Sequence, residues 1–364
     1  MAERTGERGI RRRAARRSPP MPRTFAARLV AWQRRHGRHD LPWQNTRDAY
    51  RIWLAEIMLQ QTQVATVVPY YRRFLAAFPG VRALAQAHPD RVLELWSGLG
   101  YYRRAHHLHA AAKAVVEQHA GAFPRDPDAI ATLPGVGRST AAAIAVFAYG
   151  ARAAILDGNV KRVLARHRGI EGFPGAAGVE GEMWRVAESL LPDADIESYT
   201  QALMDLGATL CTRAAPRCAE CPLASDCIAR RDGRTAALPS PRPKKAVPQR
   251  ALRVLVIERA GALLLEKRPA AGIWAGLWSL PELAVDADVA RHCQARFAAN
   301  VTVGEELPAI EHAFTHFRLT LHPQRVAART WPSRAEAPGL AWLTRDDAIA
   351  AALPAPIRKL LRTL

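Results

Sequence analysis

The sequence predicts a multidomain protein in which an all-α region is followed by a smaller α+β domain. Three observations carry this prediction. Apolar residues recur at helical spacing along residues 25–231, and β-rich runs separated by a glycine turn begin after residue 250. Between them, residues 232–250 contain four prolines and have the composition of a linker. A chain of 364 residues is long enough to build two separate cores.

The individual elements follow from these patterns. Glycine and proline punctuate the predicted helical stretches, which are Phe25–His36, Tyr50–Phe78, Pro89–Trp96, Arg103–His119, Asp128–Leu133, Ser139–Ala148 and Asn159–Arg166. The domain at residues 251–364 begins with two β-rich runs, Arg253–Ile257 and Ala262–Glu266. The intervening Arg259-Ala260-Gly261 predicts a hairpin.

The charge is concentrated in the N-terminal part. The net charge is +19, whereas residues 251–364 hold 14 Lys/Arg against 11 Asp/Glu, so the first 250 residues carry +16. Residues 1–24 are predicted to be a disordered basic arm, with seven arginines among the first 17 residues. This asymmetry is typical of a protein that binds a polyanion, nucleic acid first of all. An Arg-rich codon usage would produce the same excess without any such partner.

Four of the five cysteines lie within 17 residues, as Cys211, Cys218, Cys221 and Cys227. A reduced cytosolic compartment disfavours disulfides, and no apolar signal segment follows the first methionine. Four thiolates suit zinc or an iron–sulfur cluster. Structural zinc sites usually show two C-x2-C pairs, and here only one is present. The spacing therefore favours iron–sulfur over zinc, and both over a set of buried thiols.

The second chemical signal is the segment Leu133–Thr140, LPGVGRST, between two predicted helices. Gly135 and Gly137 would allow backbone N–H groups to approach an anion at a helix N-terminus. Such a device binds phosphate without reading a base. Asp157 follows an apolar run, and from the residues alone it is best explained as the N-cap of the next helix.

Taken together, these motifs resemble the endonuclease III superfamily of base-excision glycosylases, and within it the adenine DNA glycosylases of the MutY family. The matching segments are Leu41-Pro42-Trp43, Glu56–Gln63, Gly98–Tyr102, the glycine hairpin, Ile155–Arg162 and the cysteines. The resemblance implies a helix-hairpin-helix fold with a [4Fe-4S] loop held by the four cysteines, followed by a Nudix-like domain similar to MutT. It divides residues 25–231 into a six-helix barrel at about 45–155 and an iron–sulfur domain from 25–44 plus 156–231.

The resemblance also assigns the catalytic groups. Glu56 would protonate adenine, and its apolar helix is expected to raise the pKa of its carboxyl. Asp157 would stay ionised and stabilise positive charge on the sugar, either by its charge or by transient covalent attachment. Ser139 occupies the position at which strand-cleaving relatives carry lysine. A serine hydroxyl cannot form a Schiff base, which predicts a monofunctional enzyme. Lys161 is interpreted as a phosphate contact, with adventitious attack on the abasic product as the alternative.

Base extrusion requires residues that fill the gap left in the duplex. The resemblance assigns DNA binding and this wedge to residues of two loops and the hairpin: Leu59, Gln61, Thr62, Tyr101, Gly135, Gly137 and Ser139. It assigns the adenine pocket to Trp43, Asn159 and Gln201. His39 and Gln44 stand where some relatives carry arginine.

The C-terminal domain contains Gly276–Glu282, GLWSLPE, which resembles the start of a Nudix box. Residues 284–300 lack the paired glutamates that magnesium would require. The domain is therefore predicted to recognise a base rather than to hydrolyse a nucleotide. Phe314, Thr315 and His316 resemble a loop that recognises 8-oxoguanine. The alternative for this segment is an ordinary strand with alternating apolar residues.

The resulting hypothesis is a monomeric, cytoplasmic and nucleoid-associated adenine glycosylase. It would act on adenine opposite 8-oxoguanine or guanine in double-stranded DNA, without a membrane partner. One alternative is a related mismatch glycosylase that acts on another base. The other is a non-catalytic iron–sulfur protein that binds DNA. Glu56 and Asp157 together favour the first reading over both.

Overall fold

The computed structural model describes residues 24–243, 246–314, 316–331 and 338–364. Twelve helices precede the first strand in this part of the chain: α1 Phe25–His36, α2 Ala49–Leu59, α3 Val64–Ala77, α4 Val81–Gln86, α5 Pro89–Trp96, α6 Arg103–Gln118, α7 Pro127–Ala131, α8 Arg138–Tyr149, α9 Gly158–Arg168, α10 Ala177–Ser189, α11 Ile196–Thr209 and α12 Ile228–Arg231. The all-α prediction for this region is confirmed. Except for residue 24, the predicted basic arm lies outside the described residues.

The predicted helical stretch Tyr50–Phe78 is interrupted in the structure. Helix α2 ends at Leu59, and α3 begins at Val64 after a short turn. Gln61 adopts a left-handed backbone conformation with φ 56° in that turn, which an α-helix does not permit. Residues 60–63, QQTQ, are all polar, and this local gap in the apolar pattern marks the turn.

The helices bury two apolar clusters. One is built from α2 to α8 around the fully buried Trp53, Phe74 and Trp96. The other joins α1 to α9, α10 and α11, with Leu29, Met183 and Leu206 at its centre. The first helix of the chain therefore packs against helices that follow the hairpin rather than against its neighbour α2.

The strands form one eight-stranded mixed sheet in the described part of residues 249–344: β1 Gln249–Arg259, β2 Ala262–Lys267, β3 Trp278–Ser279, β4 Glu282–Leu283, β5 Asn300–Glu306, β6 Ile310–Ala313, β7 Arg318–Thr330 and β8 Leu340–Thr344. Strands β1 and β7 are parallel, and the other pairs are antiparallel. The predicted β1–β2 hairpin is confirmed, with Ala260 and Gly261 both at positive φ.

Helices cover both faces of this sheet. Helix α13, Val289–Phe297, packs on the face that carries Leu255, Ile257 and Leu264. The opposite face carries Val254, Val256 and Leu265 and belongs to the same apolar cluster as α2 to α8. Helices α14, Arg345–Ala350, and α15, Ala355–Thr363, also lie on this side. The core of the sheet domain is thus continuous with that of the helical region.

Polar contacts reinforce this junction close to the N-terminus of α6. Nε2 of His106 lies 3.0 Å from the carbonyl oxygen of Ala275. The hydroxyl of Tyr102 donates to the carbonyl of Leu353 at 3.3 Å. Within residues 232–243, the Leu238 side chain is buried and its carbonyl accepts a bond from Arg166 Nε at 2.8 Å. This stretch therefore packs against α9 before the chain enters β1.

None of the described helices is long and apolar enough to cross a membrane.

Candidate active site

A cavity of about 380 Å³ opens between the loop after α1 and helices α2, α8 and α11. Trp43, Glu56, Leu59 and Gln201 all contribute to its wall. The structure therefore brings one predicted catalytic residue, one predicted wedge residue and two predicted pocket residues to the same cavity. His39 and Gln44, which the sequence comparison with the family singled out as deviations, line it as well.

Glu56 lies on α2, within residues 52–59, all of whose other residues are apolar. Its neighbours Leu54, Ala55 and Ile57 are buried, whereas Glu56 lines the cavity together with Ile52 and Leu59 of the same helix. Burial, together with the negative charge of Asp157, raises the pKa of the Glu56 carboxyl to about 8. In the described part of the chain no hydrogen bond or cation offsets this effect. The carboxyl consequently carries a proton near neutral pH and can act as a general acid.

Asp157 lies in a different electrostatic setting, at the N-cap of α9. Its Oδ1 accepts hydrogen bonds from the backbone N–H groups of Asn159 at 2.6 Å and Val160 at 2.9 Å. Burial raises the pKa of Asp157, while these two bonds and the charges of Arg162 and Lys161 oppose that rise. The residue is thus both the helix cap and a carboxylate whose charge reaches Glu56. The helix N-terminus and the two cations favour its ionised form.

Of the predicted catalytic and adenine-pocket residues, Asp157 and Asn159 do not line the cavity. Asp157 stands outside the set of wall residues, although its charge acts on Glu56. Asn159 lies beside it, and its side-chain oxygen accepts a bond from Arg162 Nη2 at 2.8 Å. Asn159 was predicted to line the adenine pocket, but in the structure its side-chain oxygen is hydrogen-bonded to Arg162 on the same helix, α9.

The glycine hairpin lies between α7 and α8. Gly135 has φ 76°, and a Cβ atom there would lie 2.6 Å from the Cβ of His107, so no other residue fits without a shift. Gly137 is the exposed N-cap of α8 and makes no side-chain cap. The Ser139 hydroxyl accepts a bond from the backbone N–H of Leu156 at 2.9 Å. Ser139 therefore ties the hairpin helix to the segment that ends in Asp157.

The predicted wedge residues occupy two neighbouring turns. Gln61 lies in the turn between α2 and α3, and Tyr101 in the turn before α6. Both adopt positive φ, 56° and 49°, which non-glycine residues rarely do. Tyr101 is a large side chain that is nevertheless 49% exposed. Thr62 is half-buried and accepts a hydrogen bond from Arg104 Nη2 at 3.1 Å.

The four clustered cysteines line one small cavity between α9, α11 and the loop after α11. All are free thiols, and Arg166 Nη1 donates to Cys211 Sγ at 3.4 Å. Burial raises the pKa of Cys221 to about 11, with smaller contributions from the other three cysteines. Four half-buried thiols around one cavity are the donor set that a metal centre would use. Among the described residues, no group of three or more potential ligands is close enough to enclose a single ion.

The predicted lesion-reading segment connects β6 and β7. The ring of Phe314 stacks on that of Phe317 at 4.5 Å and contacts Trp274, while His316 is exposed. Trp274 precedes Ala275, whose carbonyl oxygen lies 3.0 Å from His106 Nε2 on α6. The segment thus lies on the side of the sheet domain that faces the helical region. Thr315 lies outside the described residues.

Known proteins resemble the chain over both regions. Residues 54–189 match the HhH-GPD superfamily of base excision DNA repair proteins, and residues 253–363 match the NUDIX domain. An adenine DNA glycosylase of Buchnera aphidicola is 35% identical over 299 residues, covering 82% of this chain and 85% of that protein. The adenine DNA glycosylase of Mus musculus is 35% identical over 398 residues, covering 93% and 77%. The chain belongs to the adenine DNA glycosylase family.

A solved structure shows the same helical architecture. A thermostable thymine-DNA glycosylase is 28% identical, has a TM-score of 0.51, and covers 57% of this chain and 95% of its own. The predictions of a helix-hairpin-helix glycosylase, of a Nudix-like second domain and of a DNA glycosylase activity are therefore confirmed. The adenine glycosylase resemblance read from the motifs is confirmed with them.

One buried carboxylate near the cavity was not predicted from the sequence. Asp205 is fully buried on α11, accepts bonds from the backbone N–H of Arg38 at 2.9 Å and its Nε at 2.7 Å, and accepts a third from Gln201 Nε2 at 2.8 Å. It thereby orients Gln201 in the cavity wall. A single carboxylate in the apolar run LMDLGATL was the available signal.

Proposed function

We propose that this glycosylase hydrolyses the N-glycosidic bond of adenine mispaired with 8-oxoguanine or guanine and leaves the DNA strand intact. The observation that carries the proposal is the pairing of Glu56, whose pKa is raised to about 8, with Asp157 at a helix N-terminus. Two carboxyl groups whose surroundings differ in this way can serve as acid and as anion at the same pH.

In the proposed mechanism, extruded adenine enters the cavity beside Trp43 and Gln201. Glu56 donates its proton to a ring nitrogen of adenine, so that the base leaves neutral rather than as an anion. The positive charge that develops on the sugar is stabilised by ionised Asp157, by charge or by a short-lived covalent bond. Water completes the hydrolysis. Asn159 contributes by holding the N-terminus of α9, and thus Asp157, in place.

Strand cleavage needs an amine at the sugar, and the hairpin offers none at Ser139. The Ser139 hydroxyl is instead bonded to the N–H of Leu156. Lys161 pairs with Glu180 at 2.7 Å, so its amine is held by a carboxylate. These contacts support a monofunctional enzyme.

DNA would be bound by the glycine hairpin and the two turns of the helical region, together with one segment of the sheet domain. The hairpin at Gly135 and Gly137 offers the free N–H groups at the start of α8 to a phosphate. Leu59, Gln61, Thr62 and Tyr101 would fill the gap in the stack. Phe314, Thr315 and His316 of the sheet domain would read the oxidised base opposite. We propose that the enzyme acts as a monomer on nucleoid DNA in the cytoplasm.

We further propose that Cys211, Cys218, Cys221 and Cys227 hold a [4Fe-4S] cluster. Their convergence on one cavity supports this, as does the division of the helical region into two apolar clusters. The cluster would stabilise the domain formed by 25–44 and 156–231, apart from the barrel at about 45–155, with 232–250 linking to 251–364. When bound, it supplies a positive centre for four thiolates and crosslinks the loop.

One assay tests the proposed activity. A duplex with a single 8-oxoguanine:adenine pair is incubated with the enzyme, and one half of each sample is treated with alkali. Release of free adenine, with a strand break only after alkali, is the expected result. Release of a different base would identify the related mismatch glycosylase, binding without release the non-catalytic protein, and a break without alkali a bifunctional enzyme.

A further inference from the structure

Two turns of the helical region each carry an outward-facing residue in a strained backbone conformation. The first turn, residues 60–63, follows α2 and contains Gln61 at φ 56°. The second, residues 97–102, precedes α6 and contains Tyr101 at φ 49°. Residues in such conformations persist only where the surrounding structure holds them. The two turns are about 40 residues apart in sequence, so something outside either turn must hold them together.

Arg104, in the first turn of α6, makes this connection. Its Nη1 and Nη2 atoms donate five hydrogen bonds to acceptors from both turns and from the end of α2: Ile57 O at 2.9 Å, Met58 O at 2.8 Å, Thr62 Oγ1 at 3.1 Å, Leu99 O at 3.3 Å and Gly100 O at 3.1 Å. The side chain is only 8% exposed. A single buried guanidinium thus connects the two turns.

All five acceptors are uncharged, which is unusual for a buried cation. The carbonyls of Ile57 and Met58 belong to the last turn of α2, where the helix dipole presents its negative end. The guanidinium also lies 5.2 Å from the ring centre of Trp96 and 5.6 Å from that of Tyr101. Burial lowers the pKa of Arg104 to about 10, well above neutrality, so the group remains charged.

We infer that Arg104 is a positioning residue that fixes the 60–63 and 97–102 turns relative to each other, so that Gln61 and Tyr101 enter the duplex as one rigid wedge. Arg104 does not touch the cavity that contains Glu56. Its effect is on extrusion of the base and not on cleavage of the bond. The inference rests on the proposed function, because it assigns a means of extrusion to the same enzyme.

The geometry of the five bonds distinguishes arginine from lysine at this position. The planar guanidinium reaches acceptors on two sides at once, whereas an ammonium is a compact group that serves one side. Arg104→Lys therefore keeps the charge and most of the buried stem but loses the bridge. Arg104→Met removes both the charge and the hydrogen bonds of the bridge. Thr62→Val removes one acceptor only and should give a smaller defect of the same kind.

The test compares two duplexes under single-turnover conditions. In the first, adenine is paired with 8-oxoguanine; in the second, it faces an abasic-site analogue and is already unpaired. We expect Arg104→Lys to lower adenine release from the first by at least about tenfold relative to wild type, the factor expected for about one lost buried hydrogen bond. On the second duplex the loss should be within about threefold.

A matched control is Arg28→Lys. Arg28 is also 8% exposed, but its guanidinium donates to the side chains of Ser225 and Asp226 and to neither turn. It should lower the melting temperature without changing the ratio of rates on the two duplexes. An equal loss on both duplexes for Arg104→Lys, or a wild-type rate on the paired one for Arg104→Met, overturns the inference.

A second readout does not depend on adenine release. A duplex with 2-aminopurine at the adenine position gains fluorescence when that base leaves the stack. Wild type should produce this gain on binding, and Arg104→Lys and Thr62→Val should reduce it. If wild type extrudes the probe but releases no adenine, the proposed function fails while the role of Arg104 is still measured. If the Arg104 variants extrude the probe as wild type does, the inference fails alone.

Discussion

Glu56 in the helical region and Glu282 in the sheet domain are both partly buried carboxyls, and their surroundings differ in one respect. Burial raises the pKa of each. Glu282 forms an ion pair with Arg268, whereas Glu56 faces a cavity beside another carboxylate. The buried charge is neutralised by a partner in one domain and by a proton in the other. The proposed chemistry therefore belongs to the helical region, although the sheet domain matches the NUDIX domain.

The largest expected effect breaks this contrast at Glu56. Glu56→Gln keeps the shape of the side chain and removes the transferable proton, so adenine release should fall by about 10²–10⁴-fold. Single-turnover release from an 8-oxoguanine:adenine duplex measures this. Glu282→Gln is the control, because Glu282 is also a partly buried carboxyl but forms an ion pair with Arg268. It should lower the melting temperature and leave the rate within a few-fold. A rate near wild type for Glu56→Gln would contradict the assignment of the acid.

Asp157 offers a second separation, between its role as a helix cap and its charge. Asparagine caps a helix N-terminus as well as aspartate does. Asp157→Asn should therefore preserve the free energy of unfolding to within about 1 kcal/mol. Adenine release should nevertheless be nearly abolished, because the charge that stabilises the sugar is gone. Asp288→Asn makes the same change at the cap of α13 in the sheet domain and should not affect release. If Asp157→Asn retains most activity, the residue is only a cap.

The pH dependence sharpens the same comparison through the proton on Glu56. Adenine release should decline as pH rises through about 8, because the acid loses its proton there. Since the folded pKa lies above the ordinary value of 4.5, the folded state binds more protons between these pH values, and stability must fall as pH rises across this window. Melting temperatures of wild type and Glu56→Gln should therefore diverge in favour of the variant from pH 5 to pH 8. Parallel curves would contradict the raised pKa.

The sequence was sufficient for the features that are local in the chain. Helix α1 was predicted to the residue, and the β1–β2 hairpin follows from Ala260 and Gly261. Glu56 could be assigned a raised pKa because its apolar neighbours precede and follow it on one helix. Each of these depends on residues within a few positions of one another.

Features that depend on distant residues were not predictable in the same way. The turn at Gln61 coincides with the polar run QQTQ, but its backbone conformation is stabilised by Arg104, about 40 residues later. The pairing of Asp205 with Arg38 joins residues 167 positions apart. Neither contact leaves a periodic trace in the sequence, because a single buried polar side chain is indistinguishable from an exposed one until its partner is known.

The smallest expected effect concerns discrimination rather than rate and lies in the sheet domain. 8-Oxoguanine presents an N–H donor at N7, where guanine presents an acceptor. A site that accepts from this donor leaves guanine unsatisfied, at about 1–3 kcal/mol per unpaired group. His316 is exposed on the turn between β6 and β7, next to Phe314, and Thr315 adds a hydroxyl from the sequence. Thr315→Ala combined with His316→Ala should therefore reduce the preference for 8-oxoguanine:adenine over guanine:adenine by about five- to 150-fold.

Point substitutions are preferable here to removal of the domain. Leu277 and Leu321 of the sheet domain belong to the same apolar cluster as α2 to α8, so deletion of 251–364 would expose the core beneath Glu56. The ratio of single-turnover efficiencies on the two duplexes is the informative measurement, because a general loss of stability affects both equally. His322→Ala, on the neighbouring strand β7 and paired with Glu306, is the control and should leave the ratio unchanged. If the double variant also retains the wild-type ratio, residues 314–316 serve only to connect two strands. Discrimination would then belong to Gln61 and Tyr101 in the helical region.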